Sequence, residues 1–351
     1  MVMQEILDKA AAQKALSDAE VLALLSARES GDLEQIFQTA RALRSQYFDN
    51  KVFYYGFVYF STHCKNNCSF CYFRQENHGL KRYRKTKEEI LQTALALKDS
   101  GVHLIDLTMG EDPYFLNQEE ELFDLIQTVK TKTQLPVMVS PGVVSDGFIK
   151  RLAEAGVEWY ALYQETHNRD LFAKLRLDQD YDQRYQAKVL AKNCGMLIEE
   201  GLLVGIGECT EDLVHSMREM GSLSASQVRT MTFIPQEQTP LANQKTNEAT
   251  QELLNIAVMR ILYPHCLIPA SLDVEGRAGL AERLQAGANV ITSIIPPEEG
   301  LAGVAHAECD IDEGNRTIAS IQEIIKDCGL EGADVADYTR WIAKRKQDLR
   351  P

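Results

Sequence analysis

No stretch of this chain stays apolar and uncharged for the ~20 residues that a membrane-spanning helix requires. The opening residues, Met1 to Leu16, alternate apolar and charged side chains without the apolar centre of a cleavable leader, so a soluble, cytoplasmic protein is expected. Positive charge is scarce as well: 37 Lys and Arg stand against 51 Asp and Glu, a formal charge of −14. Binding to nucleic acid depends on neutralising phosphates, so that partner class is disfavoured. Repeats, low-complexity tracts and Pro/Gly/Ser linkers are missing, and nothing divides the 351 residues into separate domains. The eight cysteines also lack the spread of a disulfide framework. Cys64, Cys68 and Cys71 crowd together, whereas Cys194, Cys209, Cys266, Cys309 and Cys328 stand singly. In a chain with ample apolar residues for a core, that distribution points to a ligand cluster in a reducing compartment.

What is present reads as alternating helix and strand. Residues 1–50 are helical in pattern, with Ser17 and Glu20 at capping-box spacing before Val21, Leu22, Leu24 and Leu25. A β-type run follows from Val52 to Phe60, and Thr86 with Glu89 opens the next helix. Further strands are expected at His103 to Met109, Pro136 to Ser140, Trp159 to Tyr163, Leu202 to Ile206, Val228 to Phe233, Cys266 to Leu272 and Asn289 to Ile294. Eight strands with amphipathic stretches between them suit an α/β fold closed as a (β/α)₈ TIM barrel over residues 51–300, flanked by helical segments 1–50 and 301–351. A doubly wound sheet stays open, because strand order is not encoded in the spacing.

Cys64, Cys68 and Cys71 form C-x₃-C-x₂-C directly after the first strand. Three thiolates can hold three irons of a 4Fe–4S cluster and leave the fourth for the amino and carboxylate groups of S-adenosylmethionine (SAM). Zinc is the competing reading, but a structural zinc takes four protein ligands, and His63, adjacent to Cys64, is sterically ill placed to be the fourth. With Phe70 before the third cysteine and Tyr72 after it, the segment resembles the signature of the radical SAM superfamily. That resemblance implies metal ligation by Cys64, Cys68 and Cys71 and a cofactor wall from Phe70 and Tyr72. It extends to other strand ends, where barrel enzymes place their chemistry. Met109-Gly110-Glu111-Asp112 is similar to the Gly-Gly-Glu segment that holds the SAM amino group, with Met in place of the first Gly. Glu165 and Arg176 resemble the residues that contact SAM ribose and methionine in biotin-synthase-like enzymes. Gly201 to Glu208 resembles the Gly-x-Ile-x-Gly-x-x-Glu strand beside adenine, with Leu203 in place of Ile, which assigns Gly205; Met231 lies on the next adenine-side strand.

Strand parity adds an interior of unusual charge. Residues two apart share a face, so Ile105, Leu107 and Met109 are expected against the helices and Asp106 inside the barrel. The same reasoning groups Arg229 with Met231 and Phe233, and Ser271 with Asp273. An unpaired buried charge costs on the order of 3–5 kcal/mol, which leaves two options. Arg229 pairs internally with Asp106 or Asp273, or the set receives a ligand of opposite charges, with Arg229 on a carboxylate and the two Asp residues on ammonium groups.

Several stretches, among them Tyr59 to Thr62, Asp106 to Pro113, Ala161 to Thr166, Val228 to Phe233, Pro269 to Asp273 and Gly287 to Val290, resemble the methylornithine synthase family, the lysine mutases of pyrrolysine biosynthesis. The resemblance implies that Asp106, Arg229, Ser271 and Asp273 hold L-lysine. It also implies that a 5′-deoxyadenosyl radical removes a side-chain hydrogen, and that the carbon skeleton fragments and recombines as 3-methylornithine. An external one-electron reductant of flavodoxin or ferredoxin type is then required. Ser140, at the end of the third strand, either lines the cavity or starts the next helix near Pro141-Gly142. The alternatives are another biotin-synthase-like radical enzyme, performing sulfur insertion or hydrogenase maturation, and a non-catalytic iron–sulfur or zinc sensor. A second cluster would draw on Cys194, Cys209 or Cys266, which lack the local pattern for one.

Overall fold

The computed structural model describes residues 3–245, 249–304 and 315–350, and Cys309 lies outside them. Eight strands form the central sheet: β1 (Lys51–Ser61), β2 (Leu104–Met109), β3 (Val137–Ser140), β4 (Trp159–Ala161), β5 (Leu197–Val204), β6 (Gln227–Thr232), β7 (Pro269–Ser271) and β8 (Val290–Ile294). Every neighbouring pair is parallel, in the order β6-β5-β4-β3-β2-β1-β8-β7. Strand order follows chain order around a ring, which a doubly wound sheet would not show, so the fold is a barrel. The ring meets between β6 and β7 through one bridge, Gln227 to Leu267, with Val228 N donating to Leu267 O at 3.0 Å. It is thus joined at its N-terminal end and split at the end where the strands finish.

Alternation along the strands separates two cores. Ile105, Leu107 and Met109 pack outward with Val58, Phe60, Val137 and Val139 under the helices, while Phe53, Tyr55, Leu104, Met138, Trp159 and Leu197 fill the base of the barrel. Three sequence expectations shift. β5 starts at Leu197 rather than Leu202, because the acids Glu199 and Glu200 continue the strand, each with a buried cation beside it. β4 ends at Ala161 and β7 spans only Pro269–Ser271. A further short strand, β9 (Glu331–Gly332), lies beside Lys51 and Val52.

The helix Val335–Asp348 closes the base. Its Trp341 stacks on Trp159 with ring centroids 5.9 Å apart, and its Tyr338 shares a hydroxyl hydrogen bond of 2.7 Å with Tyr55. Arg345 donates to Ser226 Oγ at 3.0 Å and to the Ala225 carbonyl at 3.2 Å. No helix of the described residues is long and apolar enough to cross a membrane.

Because Tyr338 is fully buried between Phe53, Tyr55 and Trp341, Tyr338→Ala should cost about 3–5 kcal/mol of stability. Tyr338→Phe should cost only about 1 kcal/mol through the lost hydroxyl bond. Urea unfolding of the two variants measures both, and equal losses would show that the ring contributes little to the seal.

Candidate active site

At the end of β1 the chain turns into the cysteine loop, which is fastened from two sides. On one side lies the end of β2. Gly110 N donates to Ser61 O at 2.8 Å and Lys65 N to Glu111 O at 3.0 Å. A side chain at 110 would place Cβ 2.3 Å from the His63 carbonyl oxygen and 3.0 Å from Cys64 Cβ, so only glycine permits the approach. On the other side, Thr62 N donates to Tyr83 O at 3.0 Å and Tyr83 N to Thr62 Oγ1 at 2.9 Å, and buried Asp112 accepts from Ser61 Oγ at 2.6 Å and from Arg84 Nε and Nη2 at 2.7 and 2.8 Å. Burial pulls the Asp112 carboxyl upward, but Arg84 and Ser61 outweigh it and hold it below the usual range.

Two of the three thiols face partners suited to thiolates. Cys68 Sγ accepts from Gln179 Nε2 at 3.0 Å and lies 3.6 Å from Arg176 Nη1, and Cys64 Sγ accepts from Asn66 N at 3.5 Å. Burial pushes the Cys64 thiol up to about 11 and raises that of Cys71, where the other two cysteines add to the effect. A bound cation is what would keep such groups ionised, with release of their protons. Among the described residues no group of three His, Cys, Asp or Glu side chains is arranged to hold one metal ion. A cubane takes each thiolate on a different iron, so sulfurs need not converge on one point, and the set fits a cluster better than zinc. Phe70 lies under the Arg176 guanidinium at 5.3 Å and packs with Leu175, Leu203, Ile206, Phe233 and Met231. Tyr72 packs on the opposite side, edge-on to Phe73.

Next to the thiols sits a ring of buried charge. Glu165 pairs with Arg176 at 2.6 Å, and Glu111 pairs with Arg184 at 3.2 Å and Lys65 at 3.4 Å. Arg184 is fixed by donating from Nε to the Tyr163 carbonyl at 2.7 Å. Glu165 adopts a left-handed backbone with φ of 66°, held because its carbonyl accepts from Leu203 N at 3.0 Å. Burial lifts its carboxyl above the usual range against the pull of Arg176. Glu165 Oε2 and Arg176 Nε are buried without a hydrogen-bond partner among the described residues, as expected where a polar ligand completes the site. At the end of β5, Gly205 N and Ile206 N both donate to the Glu208 carboxylate, at 2.8 and 2.9 Å, which shapes the turn beside Met231. A cavity of ≈ 490 Å³ opens here, lined by Lys65, Asn66, Glu111, Gln179 and Arg184 among others. None of the barrel-axis charges lines it.

Those axis charges do not form the internal pairs that the first sequence option offers. Arg229 pairs with neither Asp106 nor Asp273; its Nε donates to Glu199 Oε1 at 2.8 Å, and Gln227 Nε2 donates to the same oxygen at 2.6 Å. Asp273 pairs with buried Arg316 at 3.1 Å, and its backbone N–H donates to Ser271 Oγ at 3.2 Å. Asp106, paired in register with Phe57 and Met138, has no cation within ion-pair distance among the described residues, and accepts from Thr108 Oγ1 at 3.0 Å. Burial, reinforced by Glu199 and opposed by Arg229, pushes its carboxyl up to about 7. Ser140 lies in register with Thr108, while the following helix is capped by Ser145, which accepts from Phe148 N.

Sequence reasoning missed Glu199, Arg184, Gln179 and Arg316. Parity counted back from Gly201 places 199 inside the barrel, but an acidic pair inside a strand looks like its border. Arg184 shares the buried stripe of the helix Tyr181–Asn193 with Ala187, Lys188 and Ala191, and cations on such a stripe are the signal. Arg316 carries no local signal. Cys194 and Cys209 lie at helix ends and Cys266 is buried with its thiol donating to Ala225 O at the barrel base, so the three are not one site.

Comparison with known proteins agrees with this chemistry. Residues 58–220 match the radical SAM superfamily. The 3-methylornithine synthase of Methanosarcina acetivorans is 45% identical over 92% of both chains. The FeFe-hydrogenase maturase subunit HydE of Thermotoga maritima is 34% identical over 76% of this chain and 77% of its own. A crystal structure of methylornithine synthase (PylB) superposes with a TM-score of 0.91 at 42% identity, covering 96% of this chain and 99% of that one. With three cluster-spaced thiols, unsatisfied charged groups beside them and this degree of likeness, the chain belongs to the methylornithine synthase family of radical SAM enzymes, whose cofactors are a 4Fe–4S cluster and S-adenosylmethionine.

Proposed function

We propose that the protein converts L-lysine to 3-methylornithine. The observation that carries the substrate class is the charge count on the barrel axis: two buried acids, Asp106 and Glu199, lie near one guanidinium, Arg229, and it pairs with Glu199. Such a cavity has one negative charge left over, and desolvating it is costly until a cation arrives. Lysine, with one carboxylate and two ammonium groups, supplies that cation and offers its carboxylate to the Arg229 fork. Asp106 receives one ammonium group. Asp273, already oriented by Arg316 and Ser271, receives the other, with Ser271 and Ser140 donating or accepting at the substrate's polar ends.

When bound, the cluster and SAM would supply a radical able to remove a substrate hydrogen, once a flavodoxin- or ferredoxin-like carrier had reduced the cluster by one electron. Cys64, Cys68 and Cys71 are the proposed ligands. Glu111 and the Gly110 backbone, with Arg176 or Arg184 on the carboxylate, hold the methionine part, and Glu165 the ribose. Phe70, Tyr72, Gly205 and Met231 enclose the remainder. No side chain is asked to transfer a proton; the residues position the substrate to within about half an ångström and exclude water.

Anaerobic incubation with SAM, reductant and lysine should yield methylornithine by mass spectrometry, on protein carrying about four irons per chain; iron near twice that level would point to a second cluster. Asp273→Ala should abolish product while iron content stays unchanged, with Asp273→Asn as the milder change because it keeps an oxygen for the Arg316 hydrogen bond. Normal lysine turnover in both would remove Asp273 from the site.

The Asp106 carboxyl gives a pH signature. Its ionised form receives the ammonium, so kcat/KM for lysine should fall about tenfold per pH unit below 7, and Asp106→Asn should flatten that limb while lowering activity. The sign for stability is opposite: a carboxyl raised in the folded chain destabilises the ligand-free fold as pH climbs from about 4 through 7, so Asp106→Asn should melt higher than wild type at pH 8. A lower melting temperature there would mean Asp106 is compensated in the free enzyme.

A further inference from the structure

An electron has to reach the cluster from outside, yet a chain with a formal charge of −14 repels acidic carriers over most of its surface. The segment just after the cysteines runs against that trend. From Arg74 to Lys87 it carries Arg74, Lys81, Arg82, Arg84, Lys85 and Lys87 against the single acid Glu76. The fold lays this basic strip directly on the cluster loop. Arg82 Nη1 donates to the carbonyls of Thr62 at 2.7 Å and Phe73 at 2.8 Å, Tyr83 N donates to Thr62 Oγ1 at 2.9 Å, and Lys85 N to Phe60 O at 2.8 Å. Arg84 pairs antiparallel with Ser61.

Two of these cations have no structural task. Lys81 and Lys87 are exposed and have no ion-pair partner among the described residues, while Arg82 and Arg84 are occupied in holding the loop. Lys174 is likewise exposed, and its carbonyl accepts from Ser69 Oγ, between the second and third cysteines, at 2.8 Å. From this placement we infer that Lys81, Lys87 and Lys174 form the docking face for a small acidic one-electron carrier protein, seated over the cysteine loop.

The inference rests on the reductant requirement proposed above and not on lysine as substrate. In the docked pair the carrier loses one electron and the oxidised cluster gains it; no bond forms and no proton moves. Opposite charge over the loop steers encounter and brings donor and acceptor together, an effect worth 10- to 1,000-fold in association rate at low salt and screened over about 10 Å at 0.1 M.

The test uses cluster-loaded enzyme and a reduced flavodoxin as probe, reading bleaching of cluster absorbance by stopped flow. The double variant Lys81→Glu, Lys87→Glu should slow flavodoxin-driven bleaching about tenfold at low ionic strength and weaken its salt dependence. Bleaching by dithionite should be unchanged, which also reports an intact cluster. Folding is not at risk from position 87, since Lys87 opens the helix Lys87–Ser100, where an acid suits the helix dipole. As a control, Lys132→Glu with Lys326→Glu adds the same net charge in the last turns of two barrel helices, at the opposite end of the barrel, and should leave the flavodoxin rate near wild type. A wild-type rate and salt slope in the Lys81/Lys87 variant, or equal slowing in the control pair, would overturn the docking face. Lysine turnover with dithionite is a separate readout, so failure of the substrate reading would be recognised independently.

Discussion

The contact between the end of β2 and the cysteine loop is the constraint on which the rest of the site depends. Gly110 meets His63 and Cys64 at a distance no side chain would allow, and two backbone hydrogen bonds, Gly110 to Ser61 and Lys65 to Glu111, stitch the pair together. Glu111 is thereby anchored at its backbone and drawn at its side chain to Arg184. That arginine in turn grips the carbonyl of Tyr163, two residues before Glu165. The position of the cluster is therefore coupled, through a chain of short polar contacts, to the groups that would hold its cosubstrate.

Deeper in the barrel the governing rule is compensation of buried charge. Glu199 satisfies Arg229, Arg316 satisfies Asp273, and Lys188 with His167 surrounds Glu200 on the helix side of β5. Asp106 is the exception among the described residues: burial, with Glu199 adding to it, raises its carboxyl, and no cation lies within ion-pair distance to offset that. The diamino-acid site proposed for this cavity draws on that imbalance, because an excess of negative charge discriminates against a neutral amino acid.

Much of this was legible in the residues. The barrel followed from period-2 runs spaced by amphipathic helices, and the cluster from thiol spacing. Asp106 followed from parity alone, because Ile105, Leu107 and Met109 left it one face. What escaped was pairing across distance. Glu199 sits inside a strand whose acidic doublet masks its apolar run, so it is not among the carboxylates that sequence reasoning offers Arg229 as internal partners. The bond between Arg316 and Asp273 joins residues 43 apart in sequence, beyond the reach of any local pattern. Propensity and alternation fix which face a side chain takes, but partner choice among buried charges depends on the closed barrel.

The aromatic seal at the barrel base has a bearing on traffic. With Tyr338 and Trp341 stacked beneath Trp159, aromatic rings fill the floor among the described residues, and Asp106 lies on the strand whose end meets the cysteine loop. On the proposed placement of lysine at Asp106 and S-adenosylmethionine at Glu165, a closed floor makes lysine the first to load and its rearranged product the last to leave.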